Sequence, residues 1–331
     1  MAVTILDVAK LCGYSKATVS RAFASPEQVS DKTREKVYAA ARALNYTPDA
    51  IARAMVRGRT DNIGFVIYEK QYPVVLNPFY SPIFESVLQT CAQHGYSLFI
   101  SSDRDLHLPN GQTCVKKQMD GVILAGHSDM QTVLDLQQQN MPVVLLNNAL
   151  DLDHLLCVTT DQYGGAVLAM RHLAERGHRR IGLIAGNFSP HVYMARYNGY
   201  CDVLREIGQP IDFRLVQSIE PTVEAAIACT SLMLSLSDRP TALFCTNDTI
   251  AIGAMKAVLR AGLRIPQDIA IVGFDDSENS RLVEPELTTV HVDKVAMGRI
   301  AAERLIAQIE QDPAEKQVIQ TDVRLIVRQT T

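Results

Sequence analysis

The chain has no tryptophan, and aromatic residues make up only 6% of its 331 positions. No segment approaches the roughly 20 consecutive apolar residues that cross a bilayer as a helix, which argues against a helical membrane span. The opening MAVTILDVAK lacks the basic stretch and long apolar core of a secretory leader. The seven cysteines (Cys12, Cys91, Cys114, Cys157, Cys201, Cys229 and Cys245) are scattered, odd in number and never spaced as CxxC. They read as small buried hydrophobes in a reducing compartment, not as disulfide partners or zinc ligands. There is no GxSxG, P-loop, HExxH or paired-carboxylate spacing, so neither an enzyme nor a bound cofactor or metal is expected. His172 and His178 are six apart and do not share a helical face as metal ligands would. The expected location is the cytoplasm.

The most organised stretch is Thr4–Phe23, TILDVAKLCGYSKATVSRAF. Thr4 and Asp7 have capping-box spacing. Ile5, Val8, Ala9 and either Leu11 or Cys12 fall on one helical face, and Gly13 can end that helix in a left-handed conformation. Ser15 suits the N-cap of a second helix that turns Val19 and Phe23 inward and Lys16, Ala17, Thr18, Ser20 and Arg21 outward. A third helix is expected from a Ser30 cap through Arg34 to Leu44. Two short helices joined at a glycine suit many structural roles, including a DNA-reading helix-turn-helix. Charge favours the second role. Residues 1–60 carry ten Lys/Arg against five acids, net +5, whereas the remainder carries 22 basic and 31 acidic residues, net −9. A basic head on an acidic body is the footprint of a nucleic-acid reader joined to a part that does not touch phosphate.

From Leu6 to Met55, LDVAKLCGYSKATVSRAF and PEQVSDKTREKVYAAARALNYTPDAIARAM closely resemble the headpiece of the lactose-repressor family of bacterial transcription regulators. Later motifs extend the resemblance over nearly the whole chain: Asn77-Pro78-Phe79-Tyr80, Asp161-Gln162-Tyr163-Gly164-Gly165, ERGHRRI from Glu175, Cys245-Thr246-Asn247-Asp248 and IVGFDD from Ile271. Residues 102–117 depart from it, with Pro109-Asn110-Gly111 expected to break or shorten a helix. The resemblance implies a headpiece over 1–46, a hinge helix over 47–60 and an effector-binding and dimerisation body over 61–331. It places Thr4, Ser15, Lys16, Ala17, Thr18, Ser20, Arg21, Ser30, Arg34, Asn45, Tyr46, Arg53 and Met55 toward operator DNA. Arg21 is the best candidate for a bidentate guanine contact. Met55 stands where relatives carry a minor-groove leucine wedge, and Arg53, Arg57 and Arg59 are expected near phosphates.

Short apolar runs alternate with amphipathic segments in the body. Asn62–Tyr68, Ser97–Ser101, Gly121–Ala125 and Val143–Leu146 form one set; Arg180–Ala185, Leu215–Ser218, Ala242–Cys245 and Ile269–Gly273 form another. This pattern predicts buried parallel strands with crossover helices in two α/β halves. The fold class expected is therefore an all-α helix-turn-helix headpiece plus an α/β two-lobed body with two parallel doubly wound sheets. The resemblance makes that body periplasmic-binding-protein-like. Lobe one spans about 61–158 plus 291–318, and lobe two about 159–290 plus 319–331, including a last strand Val323–Val327.

By motif position, Arg196 and Asp275 match the family's central effector contacts, with Asn147, Asn247 and Asp161 as further polar positions. Phe79, Tyr80, Phe188 and Tyr193 are candidates for an aromatic face beneath a ring, because the indole platform of some relatives is absent. Asp248 reads as a helix cap, and Gly164-Gly165 as the opening of a helix. A fork donor, an acid and amides suit a sugar or sugar derivative; a purine or nucleoside is the competing class. The residues also leave open a solute-binding protein or an enzyme on the same body, but neither accounts for the basic head. The implied mechanism is a homodimer on a palindromic operator, controlled by an effector that closes the cleft between Arg196 and Asp275. Induction is the expected sign. The chain ends at Thr331 without leucine heptads, so a dimer is expected rather than a tetramer.

Overall fold

The computed structural model describes residues 3–24, 26–47, 59–68, 73–106, 119–186, 190–310 and 317–331. Arg53, Met55, Arg57, Phe188 and the Pro109-Asn110-Gly111 break lie outside the described residues. The head consists of α1 (Ile5–Cys12), α2 (Lys16–Ala24) and α3 (Asp31–Ala43). The Asp7 carboxylate accepts both the backbone N–H and the hydroxyl of Thr4, at 2.9 and 2.8 Å. Gly13 closes α1 at φ +77°, a conformation nearly free only for glycine. Ser15 accepts the Thr18 N–H at 3.1 Å, and Ser30 the Thr33 N–H at 3.3 Å, so both expected caps form. Val8, Val19, Ala22, Val37 and Ala40 make the core, with Phe23, Tyr38 and Tyr46 packed against it. Cys12, not Leu11, joins that core; Leu11 is exposed.

Two six-stranded sheets make the body. The first contains β1 (Asn62–Ile67), β2 (Ser97–Ser102), β3 (Gly121–Ala125), β4 (Val143–Leu146), β5 (Leu156–Thr160) and β11 (Gln317–Thr321), in the order β11-β5-β4-β3-β1-β2. The second contains β6 (Ile181–Gly186), β7 (Val216–Ile219), β8 (Ala242–Cys245), β9 (Ala270–Asp275), β10 (Thr288–Val292) and β12 (Val323–Ile326), in the order β12-β10-β9-β8-β6-β7. Strand pairs are parallel except β10 with β12. All nine expected strands, the last one included, appear within two residues of their predicted ends. One differs in character, because β2 lies at a sheet edge and leaves Phe99 and Ile100 largely exposed.

The crossover helices are α4 (Tyr80–Gln93), α5 (Met130–Gln138), α6 (Gln162–Glu175), α7 (Pro190–Glu206), α8 (Val223–Leu234), α9 (Asp248–Arg260), the single turn α10 (Asn279–Leu282) and α11 (Lys294–Ile309). Helix α6 packs on β10 and β12, and α11 on α4, β3, β4 and β5. The chain therefore passes between lobes after Thr160, after Val292 and at Asp322, two to four residues later than the boundaries expected from sequence. Arg59 also ties to lobe one. Its guanidinium donates to the Ile309 carbonyl at 2.7 Å, so it closes the end of α11.

The α4–α11 contact depends on Gly298. A Cβ there would stand 2.4 Å from the Ile83 carbonyl oxygen and 2.9 Å from Ser86 Cβ. Backbone cannot give way as a side-chain tip can, so Gly298→Ala is expected to destabilise lobe one by about 1–3 kcal/mol. Calorimetry would show a lowered melting temperature; an unchanged one would mean that the helices separate without cost.

Candidate functional site

Between the lobes lies a cavity of about 330 Å³ lined by Asn77, Phe79, Tyr80, Asn147, Val192, Arg196, Glu220, Thr222, Asn247 and Asp275, among others. The polar groups arrive from the carboxyl ends of strands. Asn147 follows β4, Glu220 follows β7, Asn247 lies just beyond β8, and Asp275 ends β9. This is the expected position for a ligand in open α/β sheets.

Arg196 is the centre of the site. It is 2% exposed, and its guanidinium carbon sits 3.6 Å above the centroid of the Phe274 ring. Nε donates to Gln162 Oε1 at 2.7 Å, Nη1 donates to the Thr246 carbonyl, and Nη2 lies 3.7 Å from Asp275 Oδ1. Burial lowers its pKa to about 10, a shift opposed by the Asp275 carboxylate. Burial likewise pushes Asp275 up to about 7, partly offset by Arg196. Gly165 makes room for this arrangement, since a Cβ there would lie 2.6 Å from the Phe274 ring.

Asp275 and Asp276 have φ of +110° and +48°, backbone that residues other than glycine adopt at a cost. The ammonium of Lys294, at the start of α11, holds them from beneath. It donates to the carbonyls of Asp275, Asp276 (3.2 Å) and Val292 (3.3 Å). Asp276 serves the fold, accepting Arg328 Nη2 at 2.5 Å and His291 Nδ1 at 2.8 Å. Burial alone would raise its pKa, but these partners hold it at about 2.

On the lobe-one side, Asn77 Oδ1 accepts the N–H groups of Phe79 and Tyr80 at 3.0 and 3.1 Å, fixing the start of α4. The Tyr80 hydroxyl accepts Asn147 Nδ2 at 3.1 Å, and burial pushes its pKa up to about 12. Asn147 itself is left-handed at φ +55°.

Six of the expected effector positions thus converge: Phe79, Tyr80, Asn147, Arg196, Asn247 and Asp275. Two do not. Asp161 caps α6 by accepting the Gly164 N–H at 2.8 Å. Tyr193 is stacked on Tyr197, ring centroids 6.0 Å apart, and its neighbour Val192 lines the cavity instead. The cap of α9 is Asn247, which accepts the Ile250 N–H at 2.8 Å, rather than Asp248. Asp248 is a buried tie that accepts the Thr289 hydroxyl and the Ser277 N–H, each at 2.6 Å. Sequence reasoning missed Glu220 and Thr222, which the strand-end rule could have found after β7, and treated Asn77 only as part of a motif.

In the head, Ser15, Lys16, Ala17 and Arg21 are exposed along α2, with Thr18 and Ser20 half-buried; Thr4, Ser30 and Asn45 are also exposed. Arg34 is engaged internally, donating to Asp31 Oδ1 at 2.6 Å and to the Pro26 carbonyl at 3.3 Å. Tyr46 packs against the core, with its ring centroid 6.0 Å from that of Phe23.

Residues 4–49 match the family model described as bacterial regulatory proteins, lacI family, and residues 170–331 match that of a periplasmic binding protein-like domain. The chain is 31% identical to the HTH-type transcriptional repressor PurR of Mannheimia succiniciproducens, over 99% of this chain and 98% of that protein. It is 35% identical to the ribose operon repressor of Haemophilus influenzae, covering 93% and 92%. Among solved structures, the Lac repressor dimer bound to operator and the anti-inducer ONPF superposes with a TM-score of 0.82 at 28% identity, covering 100% of this chain and 99% of that one.

Proposed function

The chain belongs to the lacI family of bacterial regulatory proteins, DNA-binding transcriptional repressors and not enzymes, and from this premise we propose that it represses a carbohydrate-utilisation operon under control of a neutral sugar bound between its lobes. The observation that carries the reading is the buried Arg196–Asp275 pair at the centre of a polar interlobe cavity. Amides, a carboxylate and an arginine converging on one volume suit a ligand rich in hydroxyls. The charged lining residues are Arg196 against the two acids Asp275 and Glu220, and Arg196 already serves Gln162 and Thr246. A sugar phosphate or sugar acid is therefore disfavoured. A purine or nucleoside is the second reading, favoured by Phe79 beside the amides of Asn77, Asn147 and Asn247. Two heads on a pseudo-palindromic operator make the dimer the working unit, acting in the nucleoid. No described helix is long and apolar enough to cross a membrane.

The test is a thermal-shift screen against neutral sugars, sugar acids, sugar phosphates and purines, repeated with Asp275→Ala. A ligand at about a hundred times its dissociation constant adds ~2.7 kcal/mol of stability. A neutral-sugar hit lost in the variant supports the reading, a purine hit selects the second, and no hit from any class overturns both. The hit should also depend on pH. Protonation of Asp275, with its pKa near 7, removes its negative charge and turns one of the oxygens that accept sugar hydroxyls into a donor. Affinity is then expected to fall by up to about tenfold per unit below that value, measured calorimetrically at pH 8 and pH 6.

A further inference from the structure

Gln162 opens α6, two residues beyond the point where the chain first leaves sheet one for lobe two. The residue is 2% exposed and does not line the cavity, yet its amide touches two residues that do. Oε1 accepts Arg196 Nε at 2.7 Å, and Nε2 donates to Asn147 Oδ1 at 3.1 Å. Asn147 passes the connection on to the Tyr80 hydroxyl at 3.1 Å. Arg196 stands on α7 of lobe two, whereas Asn147 and Tyr80 stand on lobe one at the end of β4 and the start of α4. One side chain therefore spans the seam beneath the cavity. An amide can accept from a guanidinium on one side while donating to a carbonyl oxygen on the other.

We propose that Gln162 is a positioning residue that couples Arg196 to the opening of the lobes, through the relay Arg196–Gln162–Asn147–Tyr80. The proposal rests on the reading of the cavity as the effector site. A ligand that shifts Arg196 displaces Gln162 and with it Asn147, so a change at the lobe-two wall is felt by lobe one. Lobe opening in turn takes Asn147 away from Gln162, whose other amide atom holds Arg196. Buried hydrogen-bond chains behave as units, and cutting them at two points gives less than the sum of the separate cuts.

The experiment is hydrogen–deuterium exchange by mass spectrometry on the ligand-free full chain as wild type, Gln162→Met, Tyr80→Phe and the double variant. With Gln162→Met, amides 146–149 of lobe one and 246–249 of lobe two are expected to exchange at least about fivefold faster, while β3 and β8 keep their protection. The double variant should exchange no faster than Gln162→Met alone. Unchanged exchange at both segments, uniform acceleration through both sheets or additive effects in the double variant would each overturn the proposal. If Gln162→Met does not fold, Tyr80→Phe alone decides: faster exchange at 246–249 supports the relay, and a change confined to lobe one overturns it. Since neither ligand nor DNA is used, a failed effector screen and a failed relay are separate results.

Discussion

Replacing Arg196 with methionine is expected to cost about 3–5 kcal/mol of folding stability and to abolish the response to effector. Methionine keeps length and apolar contact with Phe274 but removes every donor. Asp275, only 8% exposed, loses the charge 3.7 Å from its carboxylate, while Gln162 Oε1 and the Thr246 carbonyl each lose a partner. Adding Asp275→Asn should recover part of the loss, because much of the cost lies in the stranded charge and not in the value of the pair. The pH dependence separates these contributions. Burial already holds the Asp275 pKa at about 7 despite Arg196, and removing Arg196 raises it further. A carboxyl whose folded-state value exceeds its unfolded value binds more protons when folded, so its contribution to stability is lost as pH rises through the folded value. Arg196→Met should therefore weaken further between pH 6 and pH 8.5, and the double variant should lack this added slope. Urea denaturation at the two pH values measures both. A single variant within 1 kcal/mol of wild type at pH 8.5 would show that the pair behaves as an exposed ion pair. Operator binding by folded Arg196→Met should persist, since the reading helix lies in a different part of the chain.

How far the site was legible follows from what fixes each residue. Strands buried on both faces appear as unbroken apolar runs, which is why GVILA, VVLL and ALFC show their ends in the sequence. β5 (LCVTT), β10 (TTVHV) and β11 (QVIQT) do not read as strands, because threonine and glutamine interrupt the runs. Their threonines are buried through long-range bonds, Thr160 to the Thr321 carbonyl and Thr289 to Asp248, and sequence periodicity carries no trace of such partners. The error at Tyr193 is one helical step, about 100°. Val192 and Arg196, four apart, share the cavity face, while Tyr193 and Tyr197 share the next. Asp161 sits one residue before α6, where the demand of the helix for a cap takes its oxygen. Gln162 carries no signal in the sequence, because its two partners are 15 and 34 residues distant and only the crossing between lobes brings them together.

Arg21→Ala is expected to weaken binding to the preferred operator by about 1–3 kcal/mol and to relax the sequence requirement at one base pair. Arg21 is exposed in the last turn of α2, while the same helix anchors itself to the core through buried Val19 and Ala22. The side chain can therefore be removed without disturbing the packing that orients the helix. Arg34→Ala provides the contrast. Its guanidinium holds Asp31 and the Pro26 carbonyl, so its loss should lower the stability of the head and weaken all DNA sequences alike. Both variants delete one positive charge, and the salt dependence of binding should fall comparably wherever that charge lies near phosphate. Base preference distinguishes them, because phosphate contacts position a protein on DNA and base-edge contacts specify it. Selection from a randomised duplex library with the wild type and each variant, followed by anisotropy titrations at one salt concentration, supplies the comparison. A base position that becomes indifferent only in Arg21→Ala assigns the guanine contact. Equal weakening on every sequence would instead make Arg21 a phosphate ligand and transfer specificity to Lys16 and Ala17 at the start of α2.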